Sequence, residues 1–325
     1  MFNQDNLLSS IGNTPIVKLN NVFDNIKFNL YAKLECCNPS GSTKDRSALS
    51  MLYNSYQNKL LTPTTSIVES SSGNFGIALA QICLLLNIDF VCVIDPKTTN
   101  QNIRLLETYN AKIEMVTTPD QATGEYLPAR KKRVTELLDQ IPNSLSLDQY
   151  SNIYNPKGHY YTAKEITEHF DTPVDYIFCA VSTCGTMRGY HDYICENNLD
   201  TKIIAVDAIG SVIFGNERKK RLIPGHGAAE IPPLFSSQLA SDYVQVSDSE
   251  CVSGCHRLLK SESIFAGGST GAIISAIDKY KTNIPKNSNC VMIVHDRGDR
   301  YLDTIYSNKW IDEHFKPKKG QNIYE

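Results

Sequence analysis

Asn38-Pro-Ser-Gly-Ser-Thr-Lys44-Asp-Arg46 decides the reading of this chain. It follows a short β-rich run at 30–34 and opens a helical pattern at 45–58. A strand that runs through a tight small-residue loop into a helix is the unit of a parallel sheet. The same succession recurs downstream. Further strands are expected at 66–69, 90–94, 112–116, 176–181, 202–207 and 291–295. Further helices are expected at 74–86, 100–109, 127–141, 160–170, 186–197, 248–261 and 270–281. This predicts an α/β protein of two domains, with mainly parallel twisted sheets flanked by helices. A Tyr-, Asn- and Pro-rich stretch at 150–161 separates two series of strands and places a domain junction there.

The bulk properties narrow the function classes. The 325 residues carry 41% apolar and 21% charged side chains, enough chain for a large core. A net charge of −3 excludes a strongly basic nucleic-acid coat or polybasic membrane anchor as the main role. The opening MFNQDNLLSS has no basic segment followed by an apolar one, so no secretory signal is expected. The apolar stretch at 77–94 carries Gln81, Asn87 and Asp89 and reads as helix, turn and strand, not a membrane span. Ten cysteines in core-like sequence read as reduced thiols of a cytoplasmic protein. Cys251, Cys255 and His256 share one predicted helix without a second ligand pair; they read as packing, and no metal is expected.

Ligands of parallel sheets bind at the loops leaving the carboxyl ends of strands. Four such joints are unusual. The first carries Lys44, which alone reads as a surface residue. At a helix N-terminus, however, desolvation and the helix dipole discourage an ammonium and favour a neutral, nucleophilic amine. The second is Glu69-Ser-Ser-Ser-Gly-Asn74-Phe-Gly76, either a capped helix start or a carboxylate or phosphate cup. The third, Val181-Ser-Thr-Cys-Gly-Thr186, is a second anion cup without a Walker ending. The fourth is Phe265-Ala-Gly-Gly-Ser269-Thr-Gly271. A reactive lysine and two anion cups suit a cofactor bearing an aldehyde and a phosphate, and a substrate bearing a carboxylate. Pyridoxal 5'-phosphate meets that description.

With Ile11-Gly-Asn-Thr-Pro15 added to these segments, nearly the whole chain resembles the cysteine synthase branch of the fold-type-II pyridoxal-phosphate enzymes. The resemblance implies a tryptophan synthase β-like fold and a homodimer. It implies a smaller mobile domain at 47–155 and a larger cofactor-binding domain formed by 1–46 and 156–325. It makes Lys44 the catalytic, cofactor-bearing lysine. Ser182, Thr183, Cys184, Gly185 and Thr186 would hold the cofactor phosphate, Asn74 its ring hydroxyl and Ser269 its pyridine nitrogen. The substrate carboxylate would lie on Ser71, Ser72, Gly73, Asn74 and the backbone of Phe75, with Gln149 closing the other side. Tyr150 and Ser182 are further pocket candidates. Ser182 and Cys184 stand where the branch has glycine, so a positive φ at either would strain the backbone.

A narrower resemblance within that branch rests on 206–215, 265–271 and 296–303. It implies β-replacement between O-phospho-L-serine and L-glutamate on a route to 2,3-diaminopropionate and a siderophore. It also makes Arg130 a contact for a substrate anion, although Arg130-Lys-Lys-Arg133 otherwise reads as a solvated face. The segment 210–227 would supply acceptor contacts, with Glu217–Arg221 otherwise a solvated charge run. Sulfide-using cysteine synthesis, β-elimination to pyruvate, and a catalytically silent scaffold remain as other readings.

Overall fold

A computed structural model describes residues 2, 5–215 and 217–315. Residues 1, 3 and 4 of the opening stretch, and Asn216 of the 210–227 segment, lie outside the described residues. The chain builds two sheets. The larger has the order β1-β2-β10-β7-β8-β9: β1 (Ile16–Lys18), β2 (Asn29–Lys33), β7 (Tyr176–Ala180), β8 (Lys202–Ala208), β9 (Asp242–Val246) and β10 (Asn289–Ile293). Only β1 runs antiparallel among these described strands. The smaller sheet is wholly parallel, ordered β5-β4-β3-β6: β3 (Ser66–Ser70), β4 (Phe90–Ile94), β5 (Lys112–Met115) and β6 (Ser144–Leu145).

The central strands explain this topology. All five residues of β4 and of β7 are buried, as strands covered by helices on both faces must be. The covering helices are α1 (Lys44–Gln57), α2 (Asn74–Leu86), α3 (Asn100–Thr108), α4 (Tyr126–Gln140), α5 (Tyr154–Glu168), α6 (Gly185–Glu196), α7 (Asp248–Glu262) and α8 (Gly268–Tyr280). A last helix, α9 (Asn308–Phe315), follows the larger sheet. The stretch 77–94 folds as helix, turn and strand; Asn87 ends α2 in the left-handed conformation at φ 54°. No described helix is long and apolar enough to cross a membrane.

The helix expected from residue 160 starts instead at Tyr154, inside the stretch read as a junction. Pro156 lies in its first turn, where the missing N–H leaves no helical bond unmade. Gly158 then lets α5 approach α1: a Cβ there would lie 2.4 Å from the Arg46 carbonyl oxygen. Strands β1, β6 and β9 and helix α9 were not expected from the sequence.

Beneath the start of α1 is a buried ion network. Arg46 donates to Glu35 through Nε and Nη2 at 2.7 and 2.8 Å, and to Glu165 through both terminal nitrogens at 2.7 Å. Lys33 joins Glu165 at 2.6 Å and the Thr14 carbonyl at 2.8 Å. The network ties β2, α1 and α5 together. Burial alone would raise the Glu165 carboxyl, but bonds from Arg46 and Lys33 bring it down to about 2. A depressed carboxylate stabilises the fold above its unfolded pKa and loses that contribution as pH falls through the folded value. Stability is therefore expected to fall between about pH 4.5 and about pH 2. Glu165→Gln, which leaves Arg46 partly unpaired, should cost about 3 kcal/mol at neutral pH and flatten that acid limb. Denaturant unfolding of both proteins across that range checks this.

Candidate active site

The carboxyl ends of both sheets face one cavity of about 210 Å³. The loops after β2, β3, β4, β7, β8 and β10 all reach it, each contributing what its short run allows. After β2 the chain makes a tight turn at Gly41, φ 87°, and enters α1 at Lys44. Lys44 is half-buried on the cavity wall and forms no ion pair among the described residues. Burial draws its ammonium down to about 8, against the opposing pull of Asp296.

After β3, Ser71, Ser72, Gly73, Asn74 and Phe75 line the cavity at the start of α2. The Ser71 hydroxyl accepts from the Gly76 N–H at 2.9 Å, so the side chain caps the helix. The N–H groups of Asn74 and Phe75, in the first turn, have no intrahelical partner. The Phe75 ring itself is buried in the core beside the smaller sheet, leaving its backbone to the site. The Asn74 amide is engaged across the cavity: it donates to Asp296 at 2.7 Å and accepts from Arg300. A ring-hydroxyl role for Asn74 therefore requires that amide to leave these partners.

After β7, Ser182, Thr183, Cys184 and Thr186 line the opposite wall at the N-terminus of α6. Of the two residues at glycine positions, Cys184 alone has positive φ, at 64°. The left-handed conformation costs a side-chain-bearing residue roughly 1–2 kcal/mol. Ser182 is unstrained, and its hydroxyl donates to the Gly227 carbonyl at 3.2 Å. Gly185 lies off the cavity wall; a Cβ there would stand 2.4 Å from Asn155 Oδ1. Ser269 lines the cavity at the N-terminus of α8.

Arg130, Gln149 and Tyr150 complete the wall beside α2. Arg130 is 8% exposed, not on a solvated face. Its neighbours divide: Lys131 and Lys132 are exposed, and Arg133 pairs with Glu114 and Glu136. Arg130 Nε lies 3.2 Å from Asp95, yet neither Nε nor Nη1 makes a hydrogen bond. In the 210–227 segment, Pro224 and Gly225 reach the cavity. Arg221 departs from a solvated charge run: it is half-buried and donates to the His226 carbonyl at 2.6 Å.

Several wall residues were not picked from the sequence. Thr99 and Asn102 come from the cap and first turn of α3, which follows β4, and Arg300 and Tyr301 from the chain after β10. The carboxyl-end rule points to both places, but nothing in their composition singled these residues out. His295 lines the cavity in a fixed tautomer. The Ala180 N–H donates to its Nε2 at 3.1 Å, so the neutral ring carries its proton on Nδ1. Burial pushes it down to about 3, which removes it as a base near neutral pH. His226 is structural, its Nε2 at 3.2 Å from the Val206 carbonyl. All ten cysteines are free; Cys251 and Cys255 are core residues, while His256 lies on the outer face. No group of three potential metal ligands occurs among the described residues.

A half-buried lysine that forms no ion pair among the described residues therefore shares a cavity with the N-termini of α2, α6 and α8, each favouring an anion. That donor set fits a phosphate-bearing aldehyde, with Lys44 at the carbonyl carbon and Thr183 and Thr186 at the phosphate. The family model of the pyridoxal-phosphate dependent enzymes matches residues 7–296. The chain belongs to this family. It is a pyridoxal-phosphate dependent enzyme of fold type II that performs β-replacement. Similar solved structures include a hydrogen sulfide-producing enzyme from Fusobacterium nucleatum: 30% identity, 92% of this chain and 99% of that one covered, TM-score 0.85. An O-acetylserine dependent cystathionine β-synthase from Helicobacter pylori has 29% identity, covering 94% and 100%, at TM-score 0.85. An O-ureido-L-serine synthase has 26% identity, covering 97% of each chain, at TM-score 0.86.

The depressed lysine gives a direct expectation. Capture of pyridoxal phosphate by the apoenzyme needs a neutral amine, so its rate should rise with pH to half its maximum near pH 8. A midpoint near 10.5, the ordinary lysine value, would contradict the site described here. Stopped-flow absorbance of cofactor binding reads it, and Lys44→Ala should abolish the bound chromophore.

Proposed function

We propose that the enzyme joins O-phospho-L-serine to L-glutamate, giving N-(2-amino-2-carboxyethyl)-L-glutamate and phosphate, on a route to 2,3-diaminopropionate and a siderophore. The observation that carries the donor assignment is Arg130, a buried guanidinium on the cavity wall whose Nε and Nη1 make no hydrogen bond although Asp95 lies 3.2 Å from Nε. A buried cation left short of acceptors is costly, and a phosphate dianion supplies them. The acyl ester of O-acetylserine offers a carbonyl acceptor but no charge. Glutamate as acceptor is supported by the sequence resemblance at 206–215, 265–271 and 296–303. Two of these runs contribute Ser269, Asp296, Arg300 and Tyr301 to the wall.

Bound pyridoxal phosphate supplies a carbonyl carbon for amines and an electron sink for the pair left at Cα. Residues 182–186 would hold its phosphate, Ser269 its ring nitrogen and Asn74, once its amide leaves Asp296 and Arg300, its ring hydroxyl. The donor carboxylate binds the free N–H groups of Asn74 and Phe75 and the Ser71–Ser72 segment, with Gln149 and Tyr150 opposite. Lys44 accepts the Cα proton and holds it at Nζ. Arg130 takes up the phosphate charge as the Cβ–O bond breaks. The neutral amine of glutamate forms the new bond at Cβ, and Lys44 returns its proton to Cα. Movement of 47–155 against the rest of the chain excludes the water that would divert the reaction to pyruvate. The working form is a cytoplasmic homodimer, a reading to which the ten free thiols and the family resemblance lend support.

Competition decides between this reading and cysteine synthesis from O-acetylserine, the donor named for the H. pylori relative. With glutamate and sulfide both present, mass spectrometry should find the glutamate adduct, formed from O-phosphoserine and not from O-acetylserine. Cysteine as the main product overturns the proposal. Arg130→Ala should lower kcat/KM for O-phosphoserine roughly 10- to 100-fold while changing O-acetylserine turnover by less than about 3-fold, the loss of one charge-assisted contact.

A further inference from the structure

Glu69 is a buried carboxylate that the reaction scheme leaves without a role. It stands one residue before the end of β3, is 3% exposed, and pairs with Cys92 across β4. It forms no ion pair among the described residues. Instead its Oε2 accepts from the Ser146 hydroxyl at 3.2 Å, the Leu147 N–H at 3.0 Å and the Asp148 N–H at 2.9 Å. Its Oε1 faces the Ser70 N–H at 3.2 Å. These contacts join two cavity walls. Ser70 leads into the Ser71–Phe75 loop, and Asp148 leads into Gln149 and Tyr150.

We propose that Glu69 is a positioning residue whose carboxylate clamps the Gln149–Tyr150 loop to the Ser71–Asn74 loop, so that a substrate carboxylate meets both walls at once. The proposal rests on the donor carboxylate lying between these two loops, as argued above. The loop needs such a clamp. Asp148 sits in the left-handed region at φ 47°, immediately before Gln149. Its carbonyl side is gripped independently: Asn152 donates to the Leu147 carbonyl at 2.7 Å and Asn155 to the Gln149 carbonyl at 2.6 Å. Glu69 is the grip on the N–H side.

Charge makes this an expensive device if stability were its only purpose. The groups facing Glu69 are Asp148 on the clamped loop, Tyr150 beyond it and the Cys92 thiol on β4. The Arg130 guanidinium of α4 acts on Cys92 and Tyr150. Burial, aided by the Asp148 charge, raises the carboxyl to about 7. The folded state thus holds this proton more tightly than the unfolded chain, and ionisation costs stability as pH rises from about 4.5 to about 7. Below that midpoint the carboxyl loses acceptor strength and the clamp loosens. Glu69→Gln keeps an acceptor toward 146–148 but abolishes the charge, which separates clamping from stability.

The test compares wild-type and Glu69→Gln holoenzyme from pH 6 to 8.5 with two donors, O-phosphoserine and O-acetylserine. Both carry the α-carboxylate, but only one carries a titrating phosphate, so the readout does not depend on leaving group or acceptor. In the variant at pH 8, KM for the donor used should rise roughly 10-fold, the weakening of one charged hydrogen-bond set. Its kcat should stay within about 3-fold, with an unchanged cofactor spectrum and a thermal midpoint no lower than wild type. Wild-type KM should rise as pH falls through about 7, and the variant should be flat there. A wild-type KM and pH profile in Glu69→Gln overturns the proposal, as does a KM rise accompanied by loss of cofactor and of thermal stability. If O-acetylserine with sulfide is the working pair, the donor assignment falls while the Glu69 result still stands or fails alone. If the wild type turns over neither donor, both fall.

Discussion

The site depends on the ion network under α1. Arg46, Glu35, Glu165 and Lys33 place two cations against two anions, all buried but Glu165, which is partly exposed. Such a group is costly to bury and is held by the completeness of its hydrogen bonds. Its local consequence lies two residues upstream. Glu35 and Glu165 are fully engaged by Arg46 and Lys33, and Asp45 is bonded to the Ser40 N–H and hydroxyl. The carboxylates nearest in sequence to Lys44 are therefore already occupied, and its amine reaches the cavity without a salt bridge. A helix start fixed by a neighbouring arginine thus keeps the lysine reactive.

The rest of the electrostatics follows from parallel sheets. Strands that run the same way end on the same side, so the helices leaving them begin there and bring their positive ends together. Lys44 at α1, the Ser71–Phe75 loop at α2, the Thr183–Thr186 cup at α6 and Ser269 at α8 share one wall system for this reason. Anions are favoured there before any particular side chain is considered. The side chains select among them: hydroxyls and N–H groups for a phosphate or carboxylate, and Arg130 for a second anion.

Strand-to-helix joints are what a sequence of this class makes legible. The small-residue loops, the apolar runs of β4 and β7, and the boundaries of α2 follow from local composition and periodicity. Short or edge elements do not. β1 has three residues and β6 two, too few to show alternation. β9, Asp-Tyr-Val-Gln-Val, breaks alternation at Tyr-Val and is largely exposed at the sheet edge, and α9 has only eight residues, too few for a helical period to stand out. The start of α5 was hidden by Pro156, which is a helix breaker everywhere except the first turn. Long-range chemistry was the least legible. The tie between Asn74 and Asp296 spans 222 positions, and the fixed tautomer of His295 depends on an N–H from another strand.

The residues that break local rules gather on this cavity. Lys44 sits at a helix N-terminus, Cys184 holds a left-handed backbone, Arg130 is buried short of acceptors, and Glu69 is a carboxylate without a cation. Each costs stability, which Asp95 at Arg130 and the four donors at Glu69 offset only in part. The cores of the two sheets show the opposite pattern, with continuous apolar strands and the completed network at Arg46. Strain left unrelieved at one place, in a chain that elsewhere satisfies its buried groups, is strain that a ligand can relieve. An anion at Arg130 would offset the cost of that buried guanidinium. On the proposed function, substrate binding and consolidation of the cavity are then the same event, and relief at Arg130 is where the site would discriminate among serine-derived donors.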